Sequence, residues 1–239
     1  MNYESTKPRE VSPVPGVFLE RTADHIHLRL QEPRQVLSSA VLGGGWGQVS
    51  HLLNLKVAAD PGNGGQLTPQ QALQDYASQH GWQGPLVGMM TAAAMGSLRM
   101  VRVEQADLEL AVLVTSGLAN ARRAGDRAEY RHLKAAVAEV GTINIVLLCS
   151  ARLSPAAMVE ASMMITEAKA AALQQRQILS PVSGQLATGT GTDAVAIING
   201  IGALDNSSAG VIEYCGKHTL LGEYLARATI AALTDSFDY

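Results

Sequence analysis

The pattern of apolar and polar residues predicts a first half rich in strands and a second half in which strands and helices alternate. Period-two alternation is typical of a strand with one buried face, and a short apolar run between turn residues is typical of a buried strand. The runs 36–42 and 49–57 flank the glycine-rich segment 43–47 and therefore predict a hairpin or a site loop there. The segments predicted to be strands are 17–21, 24–30, 36–42, 49–57, 98–103, 108–114, 141–148 and 194–198.

Helix starts are marked by a hydroxyl residue followed by proline, at positions 68–69 and 154–155. The hydroxyl can cap the free N–H groups of the first turn, and proline suits the first helical position. These signals predict helices that end at about residues 80 and 176. A last helix is predicted after 216–219, ending at about residue 234, and a short one in 127–140.

Together these elements predict an α+β or mixed α/β fold in a single domain. We expect a mixed sheet of about seven to nine strands packed with about four helices. Residues 1–14 contain prolines and several charges and are expected to form a flexible arm, so that the domain would span 15–239. The 239 residues are 47% hydrophobic and 16% charged, a composition typical of a well-packed globule.

The net charge of −3 argues against the basic surface that nucleic acids and anionic membranes attract. Neither a signal-peptide pattern nor a long apolar run stands out, so we expect a cytoplasmic protein with no membrane partner. Cys149 and Cys215 form neither a disulfide framework nor a metal motif. His25 and His27 share one face of a predicted strand, but no third ligand is nearby, so we expect an exposed strand face and no metal site.

The segment 188–193, with the sequence Thr-Gly-Thr-Gly-Thr-Asp, is the stretch best suited to a functional site. Glycines let a backbone come close to a ligand, and each threonine adds a hydroxyl that can donate or accept. Phosphate-binding loops follow a strand and open a helix, whereas this loop precedes the predicted strand 194–198. The segment therefore predicts a polar site loop that ends in Asp193, and not a nucleotide-binding motif.

Two helices carry further candidates. Helical periodicity places Lys169 on an apolar face, where a buried lysine can act as a base, although its stem could also lie along the surface with its head in water. Glu167 falls on a solvated stripe, but the helix is rich enough in alanine and methionine that Glu167 stays a candidate. His218 and Thr219 lie at the start of the last helix, where free N–H groups favour an anion and His218 suits acid–base chemistry. A simple capping turn is the alternative there.

Six short motifs, each weak alone, follow one another along most of the chain. They occupy residues 88–93, 115–126, 141–144, 166–169, 188–193 and 216–219. Their succession resembles the adenosylcobinamide amidohydrolase family of corrinoid salvage enzymes, over about residues 36–233. The resemblance implies hydrolysis of the amide that joins the aminopropanol arm to the corrin ring of adenosylcobinamide. The products would be adenosylcobyric acid and 1-amino-2-propanol, in cobinamide salvage for cobalamin synthesis.

Amide hydrolysis needs a nucleophile, a base and stabilisation of the tetrahedral oxyanion. If the resemblance holds, the attacking group would be the hydroxyl of Thr190 or Thr192, or a water held by Asp193. The base would be Lys169 or Glu167. These assignments are hypotheses about this chain that the resemblance prompts.

The remaining roles concern the leaving group and the substrate. His218 would protonate the leaving amine, and the N–H groups near Thr219 would hold the oxyanion. The cobalt would arrive with the corrinoid substrate, so we expect no cofactor and no metal of the protein's own. Further residues assigned to substrate binding are Gly44, Trp46, Thr91, Asn120, Asp126, Asn144 and Thr188.

Two other functions stay open from the sequence. The same polar loops would serve a corrinoid-binding protein without catalysis. The Gly-Thr pairs would also suit a self-processing amidase in which an internal threonine becomes an N-terminal nucleophile. A homo-oligomer is compatible with all three functions.

Overall fold

The computed structural model describes residues 11–57, 67–105, 108–129, 141–201 and 210–239. In these ranges the chain forms three α-helices, α1 Pro69–Gln79, α2 Pro155–Gln175 and α3 Leu220–Phe237. The strands are β1 Val17–Arg21, β2 His25–Ser38, β3 Gly45–Lys56, β4 Leu86–Thr91, β5 Arg99–Gln105, β6 Leu108–Ser116, β7 Ala121–Arg122, β8 Ile143–Cys149, β9 Arg152–Leu153, β10 Gly189–Thr190, β11 Ala194–Ile198 and β12 Val211–Ile212.

Eight strands build one mixed sheet in the order β4-β3-β2-β11-β8-β6-β5, with β1 beside β2. The pairs β3–β4 and β8–β11 are parallel, and the other pairs in this sheet are antiparallel. The long strand β2 pairs with β1 through its first half and with β11 through its last three residues. It therefore connects the two halves of the sheet.

The sheet folds over onto itself. Asn144 of β8 donates hydrogen bonds to Asn54 of β3 and to the carbonyl of Met90 in β4, although β3 and β4 lie three and four strands away in the sheet order. Between the two halves lies an apolar core with contributions from β1, β2, β3, β4, β6, β8 and β11. One end of this core is therefore closed by polar side chains.

Helices cover the outer faces. The helices α2 and α3 pack on the face of β6 and β8 that points away from the inner core, and with these strands they form the largest core cluster. Helix α1 covers a small cluster that includes Leu53 and Leu73. Each helix starts at a hydroxyl cap, at Thr68, Ser154 and Thr219. Within the described ranges, no helix is both long and apolar enough to cross a membrane.

The predicted fold class is confirmed, because the chain combines a mixed sheet of eight strands with helices on its outer faces. The predicted hairpin is present as β2–β3, and the strands predicted at 98–103 and 108–114 pair with each other as β5–β6. Residues 36–38, predicted as part of a separate strand, instead continue β2 after an irregularity between Arg29 and Arg34. Of the helix predicted in 127–140, residues 127–129 are not helical and 130–140 lie outside the described residues.

The N-terminal arm is described from residue 11 onward. Val11 forms an isolated bridge with Leu19, and Val14 is fully buried in the inner core. Residues 11–14 are therefore packed on the sheet and do not belong to a loose arm, whereas residues 1–10 lie outside the described part. The reason is that Val14 is buried with Val17 of β1 in the inner core and the backbone of Val11 bonds to Leu19, and the local composition reveals neither contact.

Candidate functional site

The threonine loop, residues 188–193, lies at the end of the sheet where the central strands β8 and β11 begin. This end of the sheet is the site edge. Strands β8 and β11 are parallel neighbours, so their N-terminal ends lie side by side. Thr142 Oγ1 donates to the carbonyl of Thr192 at 2.7 Å, and the N–H of Ile143 donates to Asp193 Oδ1 at 3.0 Å. The loop is thus held against the start of β8 through both backbone and side chains.

Asp193 and Lys169 form a buried ion pair at this edge. Lys169 reaches it from α2 and donates to Asp193 Oδ2, and the two side chains are only 10% and 11% exposed. The hydroxyl of Thr190 donates to Asp193 Oδ1 at 2.5 Å, and the N–H of Thr190 donates to Oδ2 at 3.0 Å. The predicted position of Lys169 on the apolar face of α2 is therefore confirmed, and its ammonium group has a carboxylate partner in place of water.

Gly189 leaves the space in which this ion pair forms. A Cβ at Gly189 would fall 2.9 Å from Lys169 Nζ and closer still to Asp193 Oδ2. The two-residue ladder β7–β10 fixes the glycine here, with Gly189 opposite Arg122. A side chain at this position would separate the ammonium group from the carboxylate.

The three loop threonines make different contacts. Thr192 Oγ1 donates to the carbonyl of Gly141 at 2.9 Å, whereas Thr190 Oγ1 lies 3.4 Å from the same oxygen. Thr188 Oγ1 accepts from the N–H of Ala124 at 2.8 Å. Of these three hydroxyls, the one at Thr190 is the one that contacts the buried carboxylate.

Thr188 connects the threonine loop to the loop after β7, and Asp126 connects that same loop to the segment around Ser180. Asp126 Oδ2 accepts from Ser180 Oγ at 2.5 Å and from the N–H of Arg123 at 2.8 Å. These hydrogen bonds, above all the one from Ser180, hold the pKa of Asp126 below its ordinary value. Because its contacts join loop segments, Asp126 supports the shape of the site edge, and its proposed contact with substrate stays a prediction.

Glu167, His218 and Thr219 lie on another side of α2 from Lys169. Two residues along a helix turn the side chain by about 200°, so Glu167 points away from the buried pair. Glu167 instead pairs with Lys217 at 2.5 Å, with side chains that are 49% and 63% exposed. His218 is exposed beside this pair, and Thr219 Oγ1 caps the first turn of α3. The structure therefore divides the predicted catalytic residues into two groups.

Asn144 and Thr91 are buried in the polar network that closes the inner core. Asn144 is 2% exposed, and its Nδ2 donates to Asn54 Oδ1 at 2.8 Å and to the carbonyl of Met90 at 3.0 Å. Asn54 in turn donates to Thr115 Oγ1 at 2.8 Å. Thr91 is also buried and caps a backbone N–H two residues ahead. These groups already have protein partners, so the structure presents them as supports of the site edge.

Gly44 and Trp46 lie in and beside the β2–β3 hairpin loop. Ser39 and Val195 exchange hydrogen bonds at 2.9 and 3.0 Å, which fasten this hairpin to β11 two residues from Asp193. Trp46 is 47% exposed, and a Cβ at Gly44 would collide with the hairpin's own backbone. The indole thus remains available to a planar ligand, and its contact with one stays a prediction.

Asn120 is 7% exposed and packs against Gly141, next to the threonine loop. It precedes β7, in which Ala121 lies opposite Thr190. Among the predicted substrate-binding residues, Asn120 is therefore close to the hydroxyl that contacts Asp193. Within the described ranges, its two side-chain polar atoms have no hydrogen-bond partner.

A sequence model of a single family covers nearly the whole chain. The description of that family is adenosylcobinamide amidohydrolase, and the match extends over residues 13–238. The chain belongs to this family. An adenosylcobinamide amidohydrolase of Methanosarcina mazei is 28% identical over 201 residues, which cover 82% of this chain and 86% of that protein.

Two further similarities are more limited. An uncharacterized protein of Methanocaldococcus jannaschii is 33% identical over 154 residues, which are 59% of this chain and 58% of that protein. The matched part therefore spans less than two thirds of that relative. A crystal structure of a Pyrococcus horikoshii protein matches 91% of this chain and 77% of its own with a TM-score of 0.40 and 11% identity. At that level the likeness says nothing about the function of this adenosylcobinamide amidohydrolase family member.

The expectation that His25 and His27 lie on an exposed strand face is wrong. They are 3% and 4% exposed, because α1 and the segment after it cover this face of β2. Trp82 stacks on His27 with ring centroids 3.7 Å apart, and His27 Nε2 lies 2.9 Å from His51 Nδ1. Burial, with the nearby His51 and His25, lowers the pKa of His27 to about 3. The imidazole is therefore neutral at physiological pH.

Sequence reasoning missed this cluster of aromatic and imidazole rings. Tyr76 of α1 and His80, the C-cap of that helix, are four residues apart, which is the spacing that places two side chains on one helix face. This spacing was the signal available in the sequence. Across the described ranges, no group of three or more His, Cys, Asp or Glu side chains could hold a metal ion.

The two cysteines do not offer a nucleophile. Both are fully buried, and burial raises the pKa of Cys149 to about 11 and that of Cys215 to about 12. Since the thiolate is the reactive form, neither thiol is poised for attack near neutral pH. In this family member the threonine loop is accordingly the better candidate for covalent chemistry.

Proposed function

We propose that this chain hydrolyses the amide that joins the aminopropanol arm to the corrin ring of adenosylcobinamide, in cytoplasmic cobinamide salvage. The observation that carries the proposal is the buried Lys169–Asp193 pair with the Thr190 hydroxyl at 2.5 Å from the carboxylate. Membership of the adenosylcobinamide amidohydrolase family supports the substrate. The corrinoid, including its cobalt, is the substrate.

In the first half of the proposed reaction, Thr190 Oγ1 attacks the carbonyl carbon of the amide. Its proton passes to Asp193 Oδ1, the atom that already accepts the Thr190 hydrogen bond. The ammonium group of Lys169 donates to the other carboxylate oxygen and keeps the carboxylate oriented. As the carbon–nitrogen bond breaks, the proton on Asp193 moves to the amine nitrogen, and 1-amino-2-propanol leaves.

In the second half, water attacks the ester formed between Thr190 and the corrinoid acid. The water gives one proton to Asp193 as its oxygen bonds to the carbonyl carbon, and that proton returns to Thr190 Oγ1 as the ester bond breaks. The sum is amide plus water giving adenosylcobyric acid and amine, so atoms and charges balance. Glu167 and His218 have no part in this scheme, because they lie on the other side of α2.

Thr190 is preferred over Thr192 because of their hydrogen bonds. The Thr190 hydroxyl has a carboxylate acceptor at 2.5 Å, whereas the Thr192 hydroxyl donates to the carbonyl of Gly141, which cannot take up its proton. Thr192→Ala is therefore the matched control for Thr190→Ala. The two positions share the loop and differ in the partner of the hydroxyl.

The test is to incubate purified protein with adenosylcobinamide and to measure adenosylcobyric acid and aminopropanol by mass spectrometry. Wild type should form both products, Thr190→Ala and Asp193→Asn should lose about 10³-fold or more in kcat, and Thr192→Ala should keep most of the activity. Rapid acid quench of wild type should trap a corrinoid ester on the peptide that contains Thr190. Loss of activity in Asp193→Asn with full activity in Thr190→Ala would instead support a water held by Asp193 as the nucleophile.

Two outcomes would favour other functions. Tight binding of adenosylcobinamide without release of aminopropanol would point to a corrinoid-binding protein. A chain cut before one of its loop threonines, seen as two fragments in the intact mass of the active protein, would point to a self-processing amidase. A single mass equal to that of the full chain counts against self-processing.

A further inference from the structure

Asn120 carries hydrogen-bonding capacity that the described part of the chain does not use. The residue is 7% exposed, and neither Oδ1 nor Nδ2 of its side chain has a hydrogen-bond partner among the described residues. A carboxamide offers two N–H donors and an acceptor oxygen. Buried groups of this kind are nearly always paired, because an unpaired one loses its bonds to water without compensation. A fold that keeps such a group at a site edge therefore holds it ready for a bound molecule.

The backbone places Asn120 close to Thr190. Asn120 directly precedes Ala121, which lies opposite Thr190 in the β7–β10 ladder. On its other side, a Cβ at Gly141 would fall 2.6 Å from Asn120 Oδ1, so the glycine makes room for the carboxamide. The carbonyl of Gly141 in turn lies within hydrogen-bonding distance of the Thr190 and Thr192 hydroxyls. Asn120 and the proposed nucleophile thus share Gly141 as a neighbour.

We propose that Asn120 Nδ2 donates a hydrogen bond to the carbonyl oxygen of the scissile amide and stabilises the oxyanion that forms when Thr190 attacks. This inference rests on the proposed function and names the group that stabilises the negative charge formed by the attack. As the Thr190 oxygen bonds to the carbonyl carbon, the electron pair of the C=O bond moves onto the oxygen. A donor fixed in place before the reaction stabilises that charge without reorganisation.

The start of α3 does not take this role. Thr219 Oγ1 caps the N–H of Gly222 in its first turn, and the neighbouring Lys217 pairs with Glu167 on the side of α2 away from Lys169. Asn120, in contrast, lies at the same site edge as Asp193. The oxyanion donor therefore comes from the loop between β6 and β7.

The test compares Asn120→Ala and Asn120→Asp with wild type for kcat, KM and thermal unfolding. Asn120→Ala should lower kcat about 100-fold, the loss typical of removing one such donor, with little change in KM. Asn120→Asp replaces the donor with an anionic oxygen and should lose more. Because the native carboxamide is unpaired, removing it should leave the Tm unchanged or raised.

A second buried asparagine provides the matched control. Asn199 is 2% exposed, but its carboxamide bonds to both the N–H and the carbonyl of Leu153, at 2.7 and 3.0 Å. Asn199→Ala should therefore lower the Tm and keep kcat, the reverse of the pattern expected at Asn120.

The outcomes separate this inference from the function on which it rests. Active wild type with unchanged kcat in both Asn120 variants would overturn the inference alone. So would a rise in KM at constant kcat, which would mean that Asn120 binds the substrate equally in ground and transition states. Wild type that releases no aminopropanol would overturn the proposed function, and the inference with it.

Discussion

The buried imidazole of His27 makes the stability of the fold depend on pH. Burial, helped by the nearby His51 and His25, lowers the pKa of His27 from 6.5 to about 3, so the folded chain keeps this ring neutral at pH 5. In the unfolded chain the same ring takes up a proton below about pH 6.5. Only the unfolded state gains from acidification in this window. The free energy of unfolding therefore falls between about pH 6.5 and pH 3, and His27 contributes no further change outside that range.

The size of the effect follows from the difference in bound protons. One proton taken up by the unfolded state alone changes stability by about 1.4 kcal/mol per pH unit. Between pH 7 and pH 5, His27 should therefore account for about 2 kcal/mol. The change is smaller than two pH units of full proton uptake would give, because the unfolded ring is only partly protonated near pH 6.5. For a chain of 239 residues this is about 4–8 °C in Tm. Burial also lowers the pKa of His25 and His51, which adds in the same direction.

The assay is urea unfolding at pH 7 and pH 5 of wild type, His27→Gln and His218→Gln, followed by circular dichroism and tryptophan fluorescence. Wild type and His218→Gln, whose ring is exposed, should show the same loss of stability on acidification. The loss should be about 2 kcal/mol smaller in His27→Gln, which has no proton to bind there. If His27→Gln retains the full pH dependence of wild type, the imidazole is not held neutral and the reasoning fails. The other charged or titratable groups facing this ring are Glu20, Arg29, His25, His51 and His80.

Three further predictions concern the site edge. Gly189→Ala should cost about 1–3 kcal/mol in thermal unfolding and reduce turnover, because its Cβ would fall 2.9 Å from Lys169 Nζ. Gly47→Ala, with open space around its Cβ, should leave the Tm unaffected. Equal Tm values for the two variants would refute the crowding at Gly189. Lys169→Met leaves a buried carboxylate at Asp193 without its partner and should lose about 3–5 kcal/mol in urea unfolding, so wild-type stability would contradict a buried pair. Glu167→Gln breaks an exposed pair worth less than about 1 kcal/mol and should keep wild-type kcat/KM, and a large loss of kcat would return Glu167 to the site.

Local signals in the sequence were enough for much of this architecture. A hydroxyl residue before proline predicted the starts of α1 and α2, because both halves of that signal act within one helical turn. The 3.6-residue period predicted that Lys169 faces the core and that Glu167 faces solvent, since the exposure of a helix side chain follows from its rotation about the axis. The pairing of β2 with β3 followed from two apolar runs around a glycine-rich turn.

Contacts between distant parts of the chain were not accessible in this way. The alternation in β2 indicates one buried face, but His25 and His27 are buried because α1 and Trp82 cover the second face as well. The lysine that suits a base on the helix wheel turns out to be paired with Asp193, which is 24 residues further on. Neither fact has a local signature, since each depends on where another segment packs.

The fold class, the helix starts, the polar loop at 188–193 and the family could be predicted from the amino-acid sequence, because these depend on composition, short-range periodicity and ordered motifs. Which polar groups meet depends on the packing of distant segments. Lys169, Asp193 and Thr190 meet at the end of the sheet where two parallel strands begin, whereas Glu167 and His218 lie on another side of α2. The carboxamide of Asn120 has no hydrogen-bond partner among the residues that the structure describes. The physical reason is that hydrogen bonds and ion pairs act over a few ångströms in space, whereas their partners here are separated by up to tens of residues along the chain.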